Sequence, residues 1–261
     1  MLIMRRAMRR IIMSYKDSIY TGTSNIVLPV PNKLLFPPDY QDRSRLCYYA
    51  SLFNSLEVNS SFYKVPMRST VEKWVTDVPD DFKFTFKLWR DITHNKELAF
   101  KPQDLEKFMN AISGAGNKKG CLLIQFPPSL GININQLRVL LDAIVMIDAD
   151  REWKVAIEFR NRSWYHDDVY ELLENYQMAM VIQDMPKSAT PFIDSDVPFV
   201  FLRFHGPNGG YRGSYTDEYL AEYASYISNW QEEGKTVFAY FNNTMGDALQ
   251  NLITLDRLVG I

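Results

Sequence analysis

Cysteine and histidine are scarce in this chain, with two and three residues among 261. Cys47 and Cys121 stand far apart in apolar patterns with no Cys-x-x-Cys spacing, which excludes a disulfide framework and a thiolate metal or redox motif. The expectation is two buried thiols in a reducing cytoplasm. His94, His166 and His205 lie on distant segments, too few for a multi-zinc site. No apolar run is long enough to cross a membrane. Charge of one sign is missing too: the formal net charge is -2, which argues against bulk capture of nucleic acid or an anionic membrane. There is no Ser/Gly-rich linker, no repeat and no low-complexity stretch, so one domain is expected. A Gly-x-Ser-x-Gly elbow, a P-loop, a His-Glu-x-x-His pair and a dinucleotide fingerprint are all absent.

What is present is an ordinary globular composition, 46% hydrophobic and 23% charged. Residues 1–17 stand apart. Their arginines and methionines hint at a transit peptide, but neither an apolar signal core nor a cleavage pattern follows. They read as an extension, with Met4, Met8 and Met13 as alternative starts, ahead of a domain at 18–261.

Within that domain strand and helix patterns alternate to the end. Strands are expected at Ser18–Thr23, Leu56–Asn59, Lys83–Lys87, Cys121–Phe126, Lys154–Phe159, Met178–Gln183, Phe199–Phe204 and Thr236–Phe241. Most are nearly continuous apolar runs, as parallel strands covered on both faces require. Their number fits an α/β fold of the TIM (β/α)8 barrel type. Leu46, Tyr49, Ala50 and Phe53 have helical spacing, as do Leu137, Leu140, Leu141 and Ile144, and Tyr219, Leu220, Tyr223 and Ile227. Thr216 reads as an N-cap and Gly234 as a helix stop. A last helix is expected from about Thr244, packing Leu249, Leu252 and Ile253. The long loops Ser24–Asp42 and Asp184–Pro198 are expected on the carboxyl-end face.

The strands end in a recurring polar device. Glu57/Asn59, Glu158/Arg160 and Arg203/His205 are i, i+2 pairs, and Lys87, Gln125 and Asn242 close three further strands. Residues two apart on a strand share a face, so these side chains are expected to emerge together at the carboxyl ends, where α/β proteins build sites. Glu57 and Glu158 are the proton-transfer candidates, with pKa values expected to rise on burial. The plainer alternative is that they pair with the neighbouring cations. Lys87, Arg160 and Arg203 point to an anionic ligand. His205 opens HGPNGGYRGSY, whose glycines let backbone approach a ligand and whose Arg212 adds charge. Phe62, Tyr63, Trp89, Trp164 and Tyr211 are candidates for stacking. No cofactor is expected, although a single Mg²⁺ or Mn²⁺ on Glu57, Glu158 or Asp184 stays open.

The segments YYASLFNSLEVNSSFYKVP, FTFKLWRDITH, LLIQFPPSL, VAIEFRNRSW, RFHGPNGGYRGSY and VFAYFNNT together resemble the YecE-like proteins, the domain of unknown function 72. The resemblance runs from about Tyr20 to the final helix. It implies a TIM barrel with a polar pocket at the carboxyl ends and no established reaction. The motif positions it marks are Glu57, Asn59, Phe62, Tyr63, Lys87, His94, Gln125, Pro127, Glu158, Arg160, Trp164, Arg203, His205, Gly206 and Asn242. One departure stands out: the family commonly has Gly-Trp after Gly-Thr-Ser at the end of strand one, whereas Asn25-Ile26 follows Gly22-Thr23-Ser24 here.

Three readings result. The first is an enzyme of hydrolase or isomerase type for a small phosphorylated or sugar-containing anion, with Glu57, Glu158 and His205 catalytic. Asn59, Tyr63, Lys87, His94, Gln125, Arg160, Trp164, Arg203, Gly206, Tyr211 and Asn242 would bind the substrate. The second is a non-catalytic module for a nucleotide or nucleic-acid end, disfavoured by the acidic charge balance. The third is a metal-dependent phosphodiesterase-like barrel. No membrane partner is expected, and oligomeric state is open.

Overall fold

The computed structural model describes residues 18–261. The extension read from the sequence at 1–17 lies outside the described residues. Nine strands run in order: β1 (Ile19–Thr23), β2 (Ser55–Val58), β3 (Lys83–Lys87), β4 (Lys119–Gln125), β5 (Lys154–Glu158), β6 (Ala179–Met180), β7 (Ile182–Gln183), β8 (Phe199–Phe204) and β9 (Thr236–Phe241). The expected Met178–Gln183 strand is broken at Val181. One half pairs with β5 and the other with β8. All pairings are parallel, in two sheets ordered β1-β9-β8-β7 and β2-β3-β4-β5-β6.

The sheets meet where their end strands approach. At the break, Val181 N–H donates to the Ile157 carbonyl at 2.9 Å, and the Thr190 hydroxyl donates to the Val181 carbonyl at 2.8 Å. On the other side β1 faces β2 through a single parallel bridge, Ser24 to Glu57. Side chains satisfy most of that gap. Asn54 accepts from Thr21 N–H at 2.9 Å and donates to the Ile19 carbonyl at 2.8 Å. Tyr49 accepts from Thr23 N–H at 2.7 Å and donates to the Ser55 carbonyl at 3.1 Å. Gly22 permits the approach, because a Cβ there would collide with the Ser55 carbonyl.

Alternation along the strands separates two cores. Cys121, Leu123, Ala156, Val181, Phe199, Phe201, Phe238 and Tyr240, from both sheets, form an inner core. Leu122, Ile124, Ile157, Leu202 and Ala239 turn outward beneath the helices. These are α1 (Arg45–Ala50), α2 (Arg68–Thr76), α3 (Arg90–Thr93), α4 (Pro102–Ile112), α5 (Ile134–Ile147), α6 (Asp167–Asn175), α7 (Asp217–Glu232) and α8 (Ala248–Val259). Leu137, Leu140, Leu141 and Ile144 are the buried stripe of α5. Thr216 caps α7 by accepting from Tyr219 N–H, and Gly234 takes the left-handed conformation that ends it.

Several expectations change. The last helix begins at Ala248 rather than near Thr244, and Ile253 faces solvent while Leu252 and Leu255 are buried. The first turn of α8 starts late because Met245 and Asp247 N–H groups are held by the Tyr211 and Gly213 carbonyls. Cys47 is only half-buried, and both cysteines are free thiols. The segment 184–198 is not wholly a carboxyl-end loop. Thr190 N–H returns to the Gln183 carbonyl at 3.0 Å, and Phe192 rests on Trp230 of α7 with ring centroids 5.9 Å apart. This irregular segment stands where a helix would cover β7. No helix among the described residues is long and apolar enough to cross a membrane.

Candidate functional site

The strand-end residues converge in two tiers. The lower tier is sealed, with Glu57, Glu158, Arg203 and His205 essentially without solvent exposure. Arg203 on β8 reaches across to β2, where Nε and Nη2 donate to the two Glu57 oxygens at 2.8 and 2.7 Å. Its Nη1 donates to Glu158 Oε2 on β5 at 2.5 Å. The fork geometry of the guanidinium suits this bidentate use. The Ser24 hydroxyl, at the end of β1, donates to Glu57 Oε1 at 2.5 Å. Arg160 Nε donates to the other Glu158 oxygen.

These contacts decide the fate of the carboxylates. Burial by itself would raise the Glu158 carboxyl, but the Arg160 and Arg203 guanidiniums outweigh it and hold it well below the usual range. At Glu158 the expected rise is therefore reversed. Both glutamates have their oxygens engaged by N–H or O–H donors and neither is open to the mouth. The proton-transfer roles expected of Glu57 and Glu158 do not fit this geometry. Pairing with neighbouring cations, the plainer alternative, does.

His205 is equally enclosed. Burial pushes its imidazole down to about 3, so the ring is neutral near pH 7. Its Nε2 lies 3.1 Å from Arg160 Nη2 and 3.4 Å from Glu158 Oε1, and the Asn242 side-chain amide lies 3.0 Å from Nδ1, so both ring nitrogens are engaged. His205 thus positions Arg160 and Asn242. Without exposed surface it does not polarise a substrate oxygen, which corrects its expected catalytic role.

Asp184, just past β7, accepts from His205 N–H at 2.8 Å and from the Tyr215 hydroxyl. Tyr215 in turn accepts from Gly206 N–H at 2.5 Å. This chain folds the glycine loop back on itself. Gly206 has φ +98° and a Cβ there would strike the Arg212 carbonyl, so only glycine fits. Its N–H is taken, so it does not bind a ligand by that group. Tyr211 stands edge-on to His205 with centroids 5.7 Å apart. Glu57, Glu158 and Asp184, the residues considered for Mg²⁺ or Mn²⁺, are each engaged by N–H or O–H donors. No group of three His, Cys, Asp or Glu side chains suited to a metal occurs among the described residues.

The upper tier is the surface a ligand would meet. Lys87, Gln125, Arg160 and Asn242 keep 7, 9, 9 and 8% exposure at the ends of β3, β4, β5 and β9. Arg160 Nη1 makes no hydrogen bond among the described residues, nor does Gln125 Oε1, whose amide NH₂ is tied to the Phe126 carbonyl. Lys87 differs from the arginines. Its Nζ has neither a carboxylate nor a hydrogen-bond partner among the described residues and lies 4.2 Å from the Phe62 ring centroid. Burial, then the Arg203 charge, brings its ammonium down to about 8. The Ser61 hydroxyl pins the strand end, 2.7 Å from the Lys87 carbonyl.

The remaining expected site residues divide. His94 closes α3 on the rim, edge-on to Phe62 at 4.9 Å, and burial followed by the Lys87 charge lowers it to about 4. Asn59 follows β2, and its Oδ1 is buried without a partner among the described residues. Tyr63 is 66% exposed on the outer rim. Trp164 has no exposure. Its indole N–H donates to the Leu130 carbonyl at 2.8 Å and its ring stacks on Phe159, which excludes it from ligand contact. The contributions of Ser24 and Tyr215 were missed. Ser24 closes a strand as the other site residues do, but nothing in the spacing of Tyr215 marks it.

The family described as "Protein of unknown function DUF72" matches residues 20–261. The chain belongs to this family. A DUF72 relative, UPF0759 protein YunF of Bacillus subtilis, is 27% identical over 251 residues, covering 83% of this chain and 87% of that protein. UPF0759 protein YecE of Escherichia coli K12 is 30% identical over 83 residues, 32% of this chain and 30% of that one. Among solved structures, a DUF72 protein from Enterococcus faecalis V583 superposes with TM-score 0.77 at 23% identity, covering 93% of this chain and 96% of that chain. One from Thermotoga maritima MSB8 gives 0.73 at 23% identity, covering 93 and 99%. These likenesses bear on the fold. At the position where DUF72 proteins were expected to carry glycine, Asn25 takes φ +66°, which asparagine adopts more readily than most residues.

Proposed function

We propose that this DUF72 protein is an enzyme that binds a small anionic ligand, phosphorylated or sugar-containing, on the upper tier at the carboxyl ends of its strands. The observation that carries this reading is Lys87, a cation buried to 7% exposure whose Nζ has no carboxylate or hydrogen-bond partner among the described residues. A desolvated charge is costly unless something compensates it, and a bound anion supplies the compensation. The groups beside it agree. Arg160 Nη1 donates, the Gln125 oxygen can accept from a hydroxyl, and the tier exposes no carboxylate to repel the anion. Lys87 and Arg160 thereby take the anion-binding role, while Arg203 braces them from below. Hydrolase and isomerase chemistry both call for a proton acceptor at the mouth, a role that Glu57 and Glu158 do not fill in this arrangement.

The test is thermal shift with inorganic phosphate, glycerol 3-phosphate, sugar phosphates, nucleotides and short oligonucleotides, with wild type beside Lys87→Met. A ligand at about 100 times its dissociation constant stabilises by about 2.7 kcal/mol. A shift for small phosphates that Lys87→Met abolishes supports the reading. Shifts confined to oligonucleotides would favour the nucleic-acid alternative, and no shift for any anion would sink both.

A further inference from the structure

We infer that Lys87 is a nucleophilic amine that forms an imine with the carbonyl group of an anionic aldehyde or ketone, an open-chain sugar phosphate or a comparable phosphorylated carbonyl compound. The inference rests on the anion-binding reading above, since Arg160 holds the charged end of such a substrate.

Geometry carries it. The two arginines of the cluster are fixed on carboxylates, by Arg203 to Glu57 and Glu158 and by Arg160 to Glu158. Lys87 has no such bond to restrain it. Its stem is enclosed and its Nζ lies against the Phe62 face, a surface that excludes water without accepting a strong hydrogen bond. It closes β3 beside β4, which ends in Gln125, so a substrate reaching Nζ has the Arg160 guanidinium as donor and the Gln125 oxygen as acceptor along the tier. An amine largely buried next to other cations is an arrangement that activates lysine as a nucleophile.

The charges around it are mixed. Glu57 on β2 and Glu158 on β5 favour the ammonium, whereas burial, Arg203 on β8 and Arg160 after β5 disfavour it, and the balance leaves the group at about 8. His94 on the neighbouring rim is held neutral at pH 7 and adds no charge. About a tenth of Lys87 is then free amine at pH 7, against well under a thousandth for an ordinary lysine.

The step balances without a co-reactant. The Nζ lone pair attacks the carbonyl carbon, the C=O π pair passes to oxygen, and proton transfer gives a carbinolamine. Nitrogen then forms the C=N bond as that oxygen departs in water, whose two hydrogens are the two amine protons. The imine withdraws electrons from the adjacent carbon, which serves isomerisation or C–C cleavage of a sugar phosphate.

The experiment treats the full chain with pyridoxal 5′-phosphate, an anionic aldehyde, and with uncharged pyridoxal, each trapped by borohydride and mapped by peptide mass spectrometry. The expected result is labelling of Lys87 about tenfold or more above exposed lysines such as Lys64, Lys101 and Lys187. The phosphate form should react better, and labelling should rise through about pH 8. Lys87→Arg preserves the charge and removes the nucleophile. It should lose the adduct, and the thermal shift with glycerol 3-phosphate, which has no carbonyl, is read on the wild-type chain. Labelling spread evenly over surface lysines, with the glycerol 3-phosphate shift intact, overturns the imine and leaves the anion site standing. Selective Lys87 labelling by both aldehydes alike, with no glycerol 3-phosphate shift, keeps the nucleophile and overturns the anionic substrate class.

Discussion

A guanidinium with three nitrogens fixed on two carboxylates behaves differently from one that waits for a ligand. Arg203 is of the first kind. Removing it leaves Glu57 and Glu158 buried with one partner fewer each, and breaking a buried pair of this type costs about 3–5 kcal/mol. Arg203→Met is expected to lose that much stability in urea unfolding. A loss below about 1 kcal/mol would show that the network relaxes around the gap. Lys87 is of the second kind, so Lys87→Met should be neutral or stabilising in the absence of ligand, measured the same way. The sequence placed both residues at strand ends on one side of the sheet. It did not say which cation would be paired, because i, i+2 spacing fixes the direction of a side chain and not its partner on a strand more than a hundred residues away.

Elements meet at places where single groups decide the fit. Helix α8 lies beside β1 through Asp256, whose carboxyl is pushed up to about 7 by burial and whose Oδ1 has no partner among the described residues. The folded state therefore favours the protonated form. Stability falls as pH rises above the ordinary aspartate value and the loss is complete above about 7. Asp256→Asn is expected to stabilise by about 2–4 kcal/mol at pH 8 and to change little at pH 4. An equal effect at both pH values would rule out the charge as its source. In the glycine loop, Gly206→Ala forces a side chain into a left-handed position against the Arg212 carbonyl. It should destabilise by about 1–3 kcal/mol or more, and the loss should appear as faster hydrogen exchange across 206–215. Strand positions were legible because apolar runs and polar ends mark them. The break at Val181 was not, since nothing in MAMVIQ interrupts the strand pattern and only pairing to two different neighbours divides it.

Across the whole molecule, burial of neutral His205 sets a dependence of the opposite sign. Its folded pKa lies at about 3, below the ordinary histidine value, so the unfolded chain takes up the proton first. Stability is intact above about pH 6.5 and is lost as pH falls toward 3. His205→Gln should flatten the acid limb of the stability profile by roughly 3–5 kcal/mol at pH 3. An unchanged limb would place the acid sensitivity in other groups. The amino-acid sequence by itself determined the alternation of strands and helices, the parallel α/β class and the family, because periodicity and motif order are local properties of a chain. It also collected the polar residues at one end of the strands. Only the tertiary structure divided them into a sealed lower tier and an open upper one. Burial and pairing depend on which strands become neighbours, and that arrangement moved the chemical interest from Glu57, Glu158 and His205 to Lys87 and Arg160.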